Sequence, residues 1–148
     1  MISTELLRYY SYFAGVDGES LKAVAAISEE VSIPAGQTLF KEGDPAKALY
    51  IVTNGQVDVS LQLGSGREIV VDQIVPGDLL GWSVFVEPHK MRATAIARKE
   101  SKAVAINAAK LRDLCEKDTR LGFNLVKQVA GSLAHRLSGA VTKIAAAD

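Results

Sequence analysis

The chain has 148 residues, 48% of them hydrophobic and 23% charged, the proportions of one globular domain with a single core. Lys plus Arg and Asp plus Glu both number 17, so net charge gives no electrostatic reason to expect nucleic acid as a partner. The single cysteine, Cys115, excludes an intrachain disulfide and a cysteine-ligated metal cluster. The N-terminal stretch lacks the basic start and apolar run of a signal peptide, and no segment reaches the roughly 20 apolar residues of a membrane span. A reducing, cytoplasmic location is expected.

Residues 1–28 read as two short helices. Leu6, Leu7, Tyr10 and Phe13 recur at helical spacing and stop at Gly15. Leu21, Val24, Ala25 and Ile27 then share a face, with Asp17 or Ser20 available as N-cap. Residues 29–107 read as many short strands. Val57, Val59, Leu61 and Leu63 alternate with Asp58, Ser60 and Gln62, a period of two that predicts one buried face and one wet face. After Gly64-Ser65-Gly66 the run Ile69, Val70, Val71, Ile74, Val75 returns as the second arm of a hairpin. Later strands are expected at Arg92–Ala97 and Ala103–Ile106. Residues 108–148 read as a short helix over Ala108–Lys117 and a long one from Asp118 or Thr119. Its stripe is Leu121, Leu125, Val129, Leu133, Leu137, Val141 and Ile144. The whole is a mainly β domain with flanking helices.

The turns between the strands have a distinctive order. Ile33-Pro34-Ala35-Gly36 and Lys41-Glu42-Gly43-Asp44 lead into Leu49–Val57 with its Asn54-Gly55. Val75-Pro76-Gly77-Asp78-Leu79-Leu80-Gly81-Trp82-Ser83-Val84-Phe85 follows, then Arg92-Ala93-Thr94-Ala95. Glycine adopts positive φ freely, as tight corners between strands require. This series resembles the cyclic nucleotide-binding domain family, found in catabolite-activator-type regulators and protein kinase A regulatory subunits. The resemblance spans nearly the whole chain. It implies a double-stranded β-helix, or jelly roll, followed by a long C-terminal helix.

It also implies a phosphate-binding cassette between Pro76 and Ala95. There Leu80, Gly81, Trp82, Ser83 and Val84 would present backbone N–H groups at a short helix start. Arg92 would pair with an anion through its guanidinium fork, and Ala93 would complete the phosphate site. The family places a glutamate after the cassette glycine to accept the ribose 2′-hydroxyl. Here that position is Trp82, which has a donor and no acceptor. Losing a charge-assisted bond of about 1.5–3 kcal/mol weakens cyclic AMP roughly 10- to 150-fold.

Each residue also has a plainer reading. Arg92 is an anion ligand facing the roll interior, or a surface arginine on a strand, or a member of an internal ion pair. Trp82 is a stacking platform, or a core residue plugging the pocket. His89 reads as an exposed loop residue, His135 as a solvated or dimer-flanking one, and Cys115 as a buried helix residue. Two distant histidines make no metal site, and no catalytic motif is present, so neither a metal nor an enzyme activity is expected. The long helix, some 25 residues or about 37 Å, outruns a small roll. Family members dimerise through it, which implies a parallel homodimer with Leu133, Leu137, Val141 and Ile144 at the seam and Gly131 and Gly139 permitting close approach. The function expected is a regulatory module in signal transduction. It would bind a small anionic ligand, with a cyclic nucleotide one candidate, and signal through its C-terminal helix to a protein partner. No winged-helix reader follows Asp148, so direct nucleic-acid binding is not expected. The alternative is a ligand-free scaffold or interaction domain with its pocket filled by Trp82.

Overall fold

A computed structural model describes residues 1–147. The chain runs α1 (Thr4–Arg8), a 3-10 turn (Ser11–Phe13), α2 (Gly18–Ala26), β1 (Ser28–Ile33), β2 (Thr38–Phe40), β3 (Ala48–Asn54), β4 (Val57–Gln62), β5 (Glu68–Ile74) and β6 (Leu79–Leu80). A second 3-10 turn (Trp82–Phe85), β7 (Thr94–Ala97), β8 (Ser101–Asn107), α3 (Ala108–Lys117) and α4 (Thr119–Ala147) complete it. Two four-stranded antiparallel sheets form, in the orders β1-β8-β3-β6 and β2-β7-β4-β5.

Alternation along β3 and β8 splits the core in two. Val52, Val57, Val59, Ile74, Leu80 and Ala103 fill the space between the sheets. The opposite faces of the same strands, with Leu49, Ile51, Val104 and Ile106, pack under the helices against Phe13, Val24, Leu111, Leu121 and Leu125. The first sheet is therefore apolar on both sides, whereas the second keeps a solvated face.

That wet face is drier than the period of two predicts. Asp58 and Ser60 in β4 are buried. β4 lies between β7 and β5, and its polar side chains find partners there. Arg98 reaches Asp58 at 2.6 Å, Gln56 Nε2 donates to Asp58 at 3.2 Å, and the Ser60 hydroxyl donates to Glu68. β5, at the sheet edge, shows the reverse: Ile69, Val70 and Val71 are 41–46% exposed.

Helix ends are set by side chains. Asp17, not Ser20, caps α2 by accepting from the Ser20 N–H at 2.8 Å. The Ser20 hydroxyl instead donates to Asp118, whose other carboxylate oxygen accepts from the Leu121 N–H at 3.1 Å. Asp118 thus ties α2 to the start of α4. Asn107 caps α3 through the Lys110 N–H at 3.0 Å. Along α4, Leu121, Leu125 and Val129 are buried. Leu133 is half-buried against the same cluster. Leu137, Val141 and Ile144 are 66%, 56% and 73% exposed. No helix among the described residues is long and apolar enough to cross a membrane.

Candidate functional site

Leu79 and Leu80 pair with Ile51 and Tyr50 of β3, and the chain then turns sharply at Gly81. Gly81 sits at φ 86°, and a Cβ there would lie 2.7 Å from the Ala48 carbonyl oxygen. Only glycine meets both conditions without strain. The 3-10 turn Trp82–Phe85 closes with the Val84 N–H donating to the Gly81 carbonyl at 3.1 Å and the Val86 N–H to the Ser83 carbonyl at 3.1 Å. Ser83 and Val84 are buried and anchor it. The cassette residues Leu80, Gly81, Trp82, Ser83 and Val84 therefore occupy the strand–turn arrangement that the sequence implies.

The loop that follows is pinned to the segment before β3. The Met91 N–H donates to the Asp44 carbonyl at 2.7 Å, Gly43 N–H to Met91 carbonyl at 2.7 Å, and Ala46 N–H to His89 carbonyl at 2.8 Å. His89 departs from its expected role. It is half-buried at φ 58°, with Nδ1 3.0 Å from the Ser83 carbonyl oxygen, so it braces the turn from the loop side. His135 is exposed on α4, and Cys115 is half-buried, its thiol pushed upward by burial and then by Asp118.

The Arg92 side chain is exposed and is among those that line a small cavity beside the turn. Its guanidinium lies 5.6 Å from the Trp82 ring centroid, a cation–π distance, and Nη2 makes one long bond of 3.4 Å to the Glu87 carbonyl. Trp82 is half-buried, and the arginine lies over its ring. The cavity that remains is about 50 Å³. Its floor is apolar, from Phe40, Val59 and Leu80, with Ala93 at its edge. Small-molecule pockets run to roughly 300–1,000 Å³, so in this conformation the site has room for a few waters or a compact ion.

One residue of the site escapes sequence reasoning. Arg136 of α4 lines the same cavity. Its Nε donates to Asp72 Oδ2 at 2.7 Å and its Nη1 to the Leu79 carbonyl at 2.9 Å. Both side chains are mostly shielded, at 19% and 30% exposure. Nearby, the Tyr12 hydroxyl donates to the Gly77 carbonyl at 2.8 Å, and burial foremost raises its pKa. The sequence signals were two breaks in apolar pattern: a cation within the α4 stripe and an acid within β5. Their pairing across 64 positions was not readable. The cavity so built carries two guanidinium groups, and no carboxylate is among the described residues that line it.

This turn, arginine and C-terminal helix lie on a two-sheet roll of one recognisable class. The family model for the cyclic nucleotide-binding domain matches residues 30–118. The chain belongs to that family. A putative cyclic nucleotide-binding protein from Geobacter metallireducens is 36% identical, covers 93% of this chain and 99% of its own, and superposes with a TM-score of 0.83. The cAMP-bound regulatory domain of Toxoplasma gondii PKA is 26% identical over 75% of this chain and 42% of its own, with a TM-score of 0.67. Among curated proteins, the CRP-like cAMP-activated global transcriptional regulator of Mycobacterium tuberculosis is 27% identical over 87% of this chain. The chain spans 58% of that regulator's length.

Proposed function

We propose that the chain is a non-enzymatic, ligand-sensing regulatory module whose roll binds a small anion at Arg92 and reports the event through α4. The observation that carries this reading is the pair of arginines around one cavity without an acid. Arg92 itself meets only an indole face and a distant carbonyl. Arg136 supplies the route outward, because it belongs to the signalling helix and reaches the ligand cavity. A ligand moves that helix only by binding its two positions with different affinity. The module acts in the cytoplasm as a homodimer joined along the exposed Leu137–Val141–Ile144 stripe, and passes its state to a protein partner.

A second reading is favoured by the cavity's size. At about 50 Å³ the site has the volume of one plugged by Trp82, and the roll would then serve as a scaffold. Thermal unfolding separates the two. Wild type and Arg92→Ala are melted with cyclic AMP, cyclic GMP, cyclic dinucleotides, linear nucleotides and phosphate. A ligand at 100 times its dissociation constant adds about 2.7 kcal/mol, or roughly 5–11 °C for a domain of this size. Such a shift, lost in Arg92→Ala, supports the sensor. No shift across the panel leaves the scaffold.

A further inference from the structure

We infer that the free edge of β1 is a docking site for a protein partner, which adds an extended, basic segment as a further strand to the four-stranded first sheet. The inference does not rest on the anion site.

The first support is the backbone. β1 ends the order β1-β8-β3-β6, so only its β8 side is paired. The Asn107 N–H donates to the Ile27 carbonyl at 3.0 Å, and bonded pairs recur at every second residue of an antiparallel ladder. The register of β1 on β8 therefore turns the backbone of Glu29, Val31 and Ile33 toward β8, and that of Ser28, Glu30 and Ser32 outward. Ser28 is buried, whereas Glu30 and Ser32 are exposed. The N–H and C=O groups of Glu30 and Ser32 have no backbone partner among the described residues. Unpaired groups repeating at the spacing of a ladder are satisfied together by another strand.

The second support is space. A cleft of about 600 Å³ follows this edge, lined by β1 from Ser28 to Ile33 and on its far side by Thr38 and Leu39 of β2. Register shapes its floor: Glu29 and Tyr50 both pair with Ala105, so a small side chain stands between two larger ones. A strand added in the plane of the sheet sends alternate side chains into this trough.

The third support is charge. Glu29 and Glu30 are exposed, and neither is held in an ion pair among the described residues. Being consecutive, one faces the cleft and the other the outer surface. An incoming strand is matched to them by two consecutive basic residues, with an apolar residue opposite Val31. The cleft's two lysines, Lys47 and Lys110, stand just before β3 and on α3 rather than on the edge. The same acids argue against a second copy as the occupant: an antiparallel copy centred on the outward groups sets Glu30 opposite Glu30, and like charges directly opposite are destabilising.

The test uses the intact chain and synthetic peptides. The basic peptide is acetyl-Ile-Thr-Val-Lys-Lys-Thr-amide, which in an antiparallel register sets valine opposite Val31 and the lysines opposite Glu30 and Glu29. An acidic peptide carries glutamates for the lysines. A third keeps the basic side chains but is N-methylated at the residues opposite Glu30 and Ser32. Binding is followed by amide NMR, with hydrogen exchange at Glu30 and Ser32 reporting strand pairing. At about ten times its dissociation constant, the basic peptide should slow exchange at both amides about tenfold. The N-methylated peptide, which lacks two main-chain donors, should bind at least about tenfold more weakly. The acidic peptide should bind more weakly than the basic one, and Glu29→Lys with Glu30→Lys, both at exposed positions, should reverse that order. The inference is overturned if the basic peptide does not bind, if it binds without slowing exchange at Glu30 and Ser32, if N-methylation costs nothing, or if the charge swap leaves the order unchanged. Protection of those two amides without peptide, growing with protein concentration, makes a second copy the occupant and overturns it as well.

Discussion

Substituting alanine at Gly81 should destabilise the domain by two separable effects. At φ 86° a Cβ costs about 1–2 kcal/mol. It would also stand 2.7 Å from the Ala48 carbonyl oxygen. That oxygen belongs to β3, which is paired on one side to β8 and on the other to β6, so it has little freedom to retreat. Overpacking of this kind adds about 1–3 kcal/mol. The sum, about 3 kcal/mol, lowers the melting temperature by roughly 6–12 °C. Gly43 supplies the control: its φ is 91°, and no atom lies within 4 Å of its absent Cβ. Gly43→Ala should therefore carry the backbone cost alone and fall about half as far. Circular dichroism melts of both variants decide the matter, and equal midpoints would refute the argument that β3 holds the cassette turn in place.

Restoring an acceptor with Trp82→Glu should tighten cyclic AMP about 10- to 150-fold by calorimetry, and unchanged affinity would show that the indole is not what excludes it. Leu137→Asp, at a position 66% exposed within its own chain, should leave the circular dichroism spectrum intact and convert a light-scattering dimer to a monomer. A wild type that runs as a monomer in the same measurement would remove the α4 seam. Asp17 has its pKa lowered, chiefly by the hydrogen bonds from Ser20. Its stabilisation is thus present above the ordinary carboxylate range and is lost as pH falls through the folded-state value. Asp17→Asn should melt below wild type at pH 7, and the gap should close on acidification.

The fold was legible because its signals are local. The hairpin from Val57 to Ile74, the helix over Ala108–Lys117 and the start of α4 follow from period, turn residues and caps that lie within a few positions of one another. The burial of Asp58 and Ser60 was hidden because it depends on β4 being central, and sheet order is a long-range property. The site divided the same way. Gly81 and Arg92 stand in one contiguous motif and were found. Arg92's contact with the Trp82 ring was not legible because the two stand ten positions apart and meet only in the fold. Arg136 was missed because its two partners, Asp72 and the Leu79 carbonyl, are reached only once α4 lies across the roll.

The attachment of α4 has a mechanical consequence. Its buried anchorage ends at Val129, Arg136 ties it once more, and the helix continues to Ala147. Arg136 lies about 10 Å beyond Val129, and Ala147 about 27 Å beyond, at 1.5 Å per residue. A stiff rod hinged near Val129 therefore multiplies any sideways displacement at the tie about 2.6-fold at its far end. A rearrangement of about 1 Å around one guanidinium sweeps the far end by about 2.6 Å.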